Sequence, residues 1–312
     1  MIGAVDIGGT KLALGVVDDN GRVLEKAEVP TDVSRGFDHA IQQIKRLLGG
    51  CARRAGVKLH GIGIGCTGQV DAVTGTLGEV HTLPGWKGGD PVLTLSREFG
   101  VSAALENDAD AVALGELYWG SGEHQTPMIY VTVGTGIGVS VIHDGKIYRG
   151  AGQCHPEIGH QVIDPAGPLC TCGVRGCWES LASGPAMVTW IEDNSPQSYR
   201  RESLTAREIC SRAEAGDEWA RRAVEHAGHC LGLGLANLVN IFAPQTIVLG
   251  GSVMKSAPLF LDRIREVIGQ NCRLVPHERI DITLASLGPD VGLIGAAQVW
   301  HHRFERCRGR IE

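Results

Sequence analysis

Long apolar runs are missing from this chain of 312 residues. None approaches the roughly 20 residues that a membrane-spanning helix requires, so no membrane partner is expected. Basic residues are not in excess either: 29 Lys and Arg stand against 35 Asp and Glu, a net charge of −6. A nucleic-acid surface needs a basic patch, so that partner is not expected. The Gly-x-x-x-x-Gly-Lys-Ser/Thr phosphate cradle does not occur. The opening MIGAVDIGGT lacks the character of a secretory signal, so the ten cysteines read as thiols of a reducing, cytoplasmic protein. What is present, 43% hydrophobic and 21% charged residues, is the composition of a globular protein long enough to prefer two domains.

The densest chemistry lies in HPEIGH and CTCGVRGCWE, between His155 and Glu179. Cys170, Cys172 and Cys177, with His160 just upstream, offer three soft sulfurs and one imidazole, the ligand set of a closed tetrahedral zinc site. Gly173 and Gly176 let the chain turn sharply enough for the sulfurs to meet. A structural zinc here would staple an irregular loop and fix Glu157 and Glu179. Cys154 and His155 stand as alternative ligands. The remaining cysteines read as inert thiols.

The chain opens with an apolar strand, the turn DIGGTK, a second strand LALGVV, the turn DDNG and a third strand, an antiparallel meander. The pattern returns in MIYVTV, GTGIG, VSVI, HDGK and IYRG, an internal echo that predicts two domains of related design. Between the copies, helical spacing predicts a helix over 37–55, and LHGIGIGCTG and VSAALEND read as buried strands. Asn107 is placed to cap a helix in DADAVALGELYWG. Further helices are expected over 184–193, 205–215 and 217–242, the last stopped by Pro244. TIVLGGSV reads as another strand, and 292–306 as a helix returning to the first domain. Alternating strands and helices make the fold class α/β.

Three glycine-rich turns end apolar strands: Asp6-Ile7-Gly8-Gly9-Thr10-Lys11, Gly134-Thr135-Gly136 and Gly250-Gly251-Ser252. Such turns present backbone N–H groups to phosphate oxygens, and three of them suggest a polyphosphate. Asp6 could hold magnesium through water, or simply stabilise its turn. Asp108, at a strand-to-helix junction, is suited to take a proton from a hydroxyl attacking a phosphoryl group, or to favour the helix N-terminus.

DIGGTK, LENDAD, GTGIG, PEIGH, CTCGVRGCWE and IVLGGSV occur in the order and spacing of the ROK family of sugar kinases and repressors, which the chain resembles over nearly its whole length. Within the family the resemblance is greatest to ATP-dependent glucokinases. It implies a two-domain actin/hexokinase-like (ribonuclease H-like) fold with sugar and ATP in the cleft. The expected first domain is 1–118, completed by a C-terminal helix of about 291–312, and the second is 119–290. Asp108 becomes the general base for a sugar 6-hydroxyl. Gly68, Asn107, Glu157, His160 and Glu179 become sugar contacts, His160 binding zinc through one ring nitrogen and sugar through the other. Gly8, Gly9, Thr10, Lys11, Thr135 and Gly136 face the phosphates, and Gly250 and Gly251 wall the adenosine. The cofactors implied are ATP, Mg2+ and structural Zn2+, and the assembly implied is a homodimer.

Three departures concern the sugar. Thr82 stands where glucokinases often carry asparagine, Cys66-Thr67-Gly68 replaces a frequent Pro-Gly, and Val139-Ser140 follows Gly138 in place of further glycines. N-acetylmannosamine kinase, or a kinase for fructose or N-acetylglucosamine, is therefore the competing expectation. A sugar-responsive regulator is a remoter one, since only Met1–Val5 precede Asp6 and leave no room for a helix-turn-helix.

Overall fold

The computed structural model describes residues 1–304 except 124, 198 and 200–203. The strands are β1 (Ile2–Ile7), β2 (Lys11–Val17), β3 (Val23–Pro30), β4 (Gly61–Cys66), β5 (Val70–Asp71), β6 (Thr76–Leu77), β7 (Ser102–Asn107), β8 (Met128–Val133), β9 (Ile137–His143), β10 (Lys146–Ile147), β11 (Thr246–Gly250) and β12 (Asp281–Leu284). The α-helices are α1 (Gly36–Ala55), α2 (Pro91–Phe99), α3 (Asp108–Trp119), α4 (Trp178–Ala182), α5 (Gly184–Asn194), α6 (Ala206–Glu214), α7 (Glu218–Phe242), α8 (Leu261–Asn271) and α9 (Val291–Phe304). Each predicted helix and strand has a counterpart, but the segment IYRG that closes the echo contributes only Ile147 to a two-residue strand, Lys146–Ile147. The helix predicted to run to 306 is described as far as Phe304, and 305 and 306 lie outside the described residues.

The chain divides into two compact units. The first comprises Met1–Gln125, Ser140–Pro156 and Ala285 onward; the second comprises Thr126–Val139 and Glu157–Leu284. The first thus takes in 119–125, Ser140–Pro156 and 285–290 beyond the expected 1–118 and C-terminal helix.

The first unit is built on a sheet in the order β3-β2-β1-β4-β7, antiparallel across the meander and parallel from β1 to β4 to β7. Alternation along β1 sends Val5 and Ile7 to one face and Ile2 and Ala4 to the other. On one side they meet Leu14, Ile44, Leu48, Ile62 and Ile64, which joins α1 to the sheet. On the other they meet Leu293, Ala296 and Ala297 of α9. The glycines of β4 make room for that helix: a Cβ at Gly61 would strike the Trp300 ring, and one at Gly63 the Ala296 backbone.

The second five-stranded sheet runs β10-β9-β8-β11-β12, with β8, β11 and β12 parallel. Its order repeats that of the first sheet, the architectural form of the echo in the sequence. The chain leaves the second unit within β9, after Val139. In the second unit α7 packs against α8, α6 and α4. Helix α7 ends at Ala243, whose left-handed backbone (φ 42°) returns its N–H to Val239 O, one residue before Pro244.

Candidate active site and metal centre

In the first unit the central residue is Asp108, the first of α3. Asn107 ends β7 and caps α3, its side-chain oxygen accepting from the backbone N–H of Ala109 (2.9 Å) and of Asp110 (3.4 Å). The Asn107 amide donates to Gly68 O at 3.0 Å, so the loop after β4 is tied to the same cap. Asp108 therefore sits at a junction fixed on both sides. Its carboxylate accepts from Ala109 N at 2.9 Å and is bonded by the Thr67 hydroxyl. Burial raises its proton affinity above the ordinary carboxylate range, opposed by the Ala109 N–H and the charge on His155.

Asp6 lies in the same unit, near the end of β1. Burial, then the charge of Asp108, pushes its carboxyl up to about 7. A buried carboxylate with a like-charged neighbour gains from a divalent cation, so oxygen chemistry here fits magnesium. In the turn that follows, Gly8 N–H donates to Lys11 O (2.9 Å) and the Thr31 hydroxyl to Gly8 O (2.7 Å). A Cβ at Gly9 would fall 2.6 Å from that of Thr82, so Thr82 seals this turn. Thr10 is exposed, and Lys11 is exposed with its ammonium 3.0 Å from Glu28.

A second carboxylate of α3 was not singled out by its sequence position. Asp110 is 1% exposed and accepts from Ser140 Oγ (2.6 Å), His155 Nδ1 (2.8 Å) and Arg149, which also pairs with Glu106. Burial opposes the charge of Asp110, yet these partners hold its carboxyl below the usual range. Burial pushes Glu106 up to about 7. An acid two residues after Asp108, in the first turn of the same helix, was the available signal.

In the second unit, His160, Cys170, Cys172 and Cys177 present ligand atoms that all lie within 4.8 Å of one another. His160 Nδ1 is 3.5 Å from Cys170 Sγ, and Cys172 Sγ is 3.5 Å from Cys177 Sγ. Ligands on a tetrahedral zinc, with bonds of about 2.0–2.3 Å, sit roughly 3.5–3.8 Å apart. A disulfide would need about 2.05 Å, so the four groups fit a metal and not a bond. His155 and Cys154, the alternative ligands, do not belong to this group; His155 is engaged by Asp110.

The turns behave as their residues require. Gly173 and Gly176 have φ of 89° and 70°, and a Cβ at Gly176 would strike Asp164 O. Trp178, fully buried, seats the loop where Gly234 of α7 leaves no Cβ in the way. Next to it, half-buried Glu179 accepts from Ile137 N at 2.9 Å and lies against Gly136, where a Cβ would collide with its carboxylate. The metal loop is thereby joined to the second glycine turn. Glu157 is exposed, one residue before the short turn that carries His160.

Gly250 and Gly251 end β11 against β8. A Cβ at Gly250 would meet the Tyr130 hydroxyl, and Gly251, at φ 93°, has no space beside Val133. A cavity of about 560 Å³ is lined by Gly134, Thr135, Ser252 and Val253 together with Pro185 and Thr205. It brings the second and third glycine turns to one opening in this unit. Pro185 and Thr205, at the starts of α5 and α6, carried no signal in the sequence.

Comparison with known proteins agrees with this organisation. The ROK family profile matches residues 2–303. The chain is 32% identical to a glucokinase of Streptomyces coelicolor over 314 residues, covering 95% of this chain and 96% of that protein. It is 33% identical to an N-acetylmannosamine kinase of Citrobacter koseri, covering 94% and 96%. Among solved structures, the ROK family glucokinase from Streptomyces griseus in complex with glucose and AMPPNP superposes with a TM-score of 0.81 at 31% identity, covering 96% of this chain and 98% of that one. The fold is accordingly of the actin/hexokinase-like kind, and the chain belongs to the ROK family.

Proposed function

We propose that this protein is an ATP-dependent sugar kinase that phosphorylates the 6-hydroxyl of a hexose, glucose foremost. The observation that carries the reading is Asp108: a half-buried carboxylate with raised proton affinity, held at a strand-to-helix junction by the Asn107 cap and the Thr67 hydroxyl. A base of that kind accepts a proton as the hydroxyl oxygen attacks, and positioning supplies most of the remaining acceleration.

Asn107, Gly68, Glu157, His160 and Glu179 bind the sugar in this proposal. Gly8, Gly9, Thr10, Lys11, Thr135 and Gly136 hold the polyphosphate, and Gly250 and Gly251 flank the adenosine beside the 560 Å³ cavity. His160 turns Nδ1 toward the thiolates, which leaves Nε2 as the nitrogen to face a hydroxyl. Zinc bound by His160, Cys170, Cys172 and Cys177 would fix that ring's tautomer and direction. Magnesium held through water by Asp6 would neutralise polyphosphate charge. The protein is taken to be a cytoplasmic homodimer.

The competing reading, N-acetylmannosamine kinase, is favoured by the 33% identity to the Citrobacter koseri protein. ADP release from ATP, measured across a panel of hexoses and acetylhexosamines, separates the two. No ADP release with any of them would overturn both.

A further inference from the structure

We propose that His155 is a positioning residue for Asp108, clamped by Asp110, Arg149 and Ser140 so that its ring supplies positive charge beside the reacting carboxylate. The inference rests on the assignment of Asp108 as general base, and deepens it.

The geometry is that of a built clamp. His155 is 6% exposed and turns Nδ1 to Asp110 Oδ2 at 2.8 Å. Its backbone carbonyl accepts from the Gln69 amide at 3.4 Å, next to the Gly68 that Asn107 holds. Asp110 is held in turn by three donors: Ser140 Oγ at 2.6 Å, Arg149 and His155 itself. Arg149 is anchored on its far side by Glu106. Asp110 and the charge of His155 both act on the Asp108 carboxylate, so the clamp lies within electrostatic reach of it.

Charge explains why such a clamp is useful. The groups facing His155 and Asp108 are Asp110 on α3, Glu106 on β7, Asp6 on β1 and Arg149 after β10, with the uncharged Cys66 thiol on β4. The group thus holds four carboxylates and one arginine, whose guanidinium is already engaged by two of them, Asp110 and Glu106. Burial then favours the protonated forms of Asp6, Glu106 and Asp108, while Asp110 keeps its charge among its donors. Lys11 acts on Asp6, and it is the charge of His155 that acts on Asp108 against the effect of burial. A ring held only for packing would not need a carboxylate itself anchored by two further donors, Ser140 and Arg149.

The test is the pH dependence of turnover in the intact enzyme with ATP and glucose. His155→Gln keeps an amide donor for Asp110 and removes the charge. The expected result is that the acidic limb of kcat/KM moves up by about one pH unit. Activity then falls about tenfold on that limb and approaches the wild-type value above it. A uniform loss at every pH, or an unchanged profile, overturns the proposal and leaves His155 a structural residue. If His155→Gln does not fold, His155→Asn removes the same charge while leaving Asp110 in place, and the limb should move the same way; an unmoved limb there overturns the proposal too. Asp108→Asn is run in parallel. Retained turnover in that variant removes the general-base assignment itself, a failure distinct from that of His155.

Discussion

Asp6 makes a quantitative prediction about the tension between stability and function. Its carboxyl is pushed from 3.8 to about 7, first by burial and next by the charge of Asp108. The folded protein then holds a proton that the unfolded chain has already released, so stability falls as pH rises from about 4 to about 7 and is level above. Three tenfold steps in proton affinity, at about 1.4 kcal/mol each, give a ceiling of about 4 kcal/mol, which solvent screening lowers to about 2–4 kcal/mol. Asp6→Asn removes the buried charge. In urea unfolding without magnesium, the variant should match the wild type near pH 4 and exceed it by about 2–4 kcal/mol at pH 8. Part of the effect comes from Asp108, so the gains from Asp6→Asn and Asp108→Asn should not add in the double variant. A stability difference that does not grow with pH, or a less stable Asp6→Asn at pH 8, refutes the reasoning.

Three other outcomes are expected. Asp108→Ala should lower turnover by about two to four orders of magnitude while calorimetry still registers sugar binding; near-normal turnover removes Asp108 from the mechanism. Cys172→Ser should release zinc, read by elemental analysis, and abolish sugar affinity with it, and a fully active zinc-free variant would end that reading. Gly136→Ala places a methyl against the Glu179 carboxylate and should raise the KM for sugar at least several-fold through displacement of that side chain; an unchanged KM separates Glu179 from the sugar.

Much of the architecture was legible because its signals are local. The meander and its echo follow from apolar strands broken by Gly and Asx-Gly turns, and the two sheets do share one strand order. Asn107 was readable as a cap because a side-chain acceptor two residues ahead of a free N–H is a short-range arrangement. The thiolate centre was readable for the same reason, since Cys170, Cys172 and Cys177 crowd into eight residues. The Asp110 clamp was not. Its donors, Ser140, Arg149 and His155, lie 30 to 45 residues away, and nothing in their local sequence pairs them. His155 was accordingly open to assignment as a zinc ligand by proximity to the cysteines, when its partner comes from α3. The engagement of Glu179 by the Ile137 amide is invisible for the same reason. Long-range partners are set by topology, and a single sequence states topology only indirectly.

The position of α9 bears on how the protein is made. Ile2 and Ala4 of the first strand, and the glycine face of β4, are covered by residues synthesised more than 230 positions later. Every residue assigned to the second unit precedes Ala285 in the chain. During translation that unit can therefore mature while the earlier-made one still waits, one side of its sheet bare, for the last helix to leave the ribosome. Such a nascent intermediate exposes apolar surface and would be a natural client for chaperones.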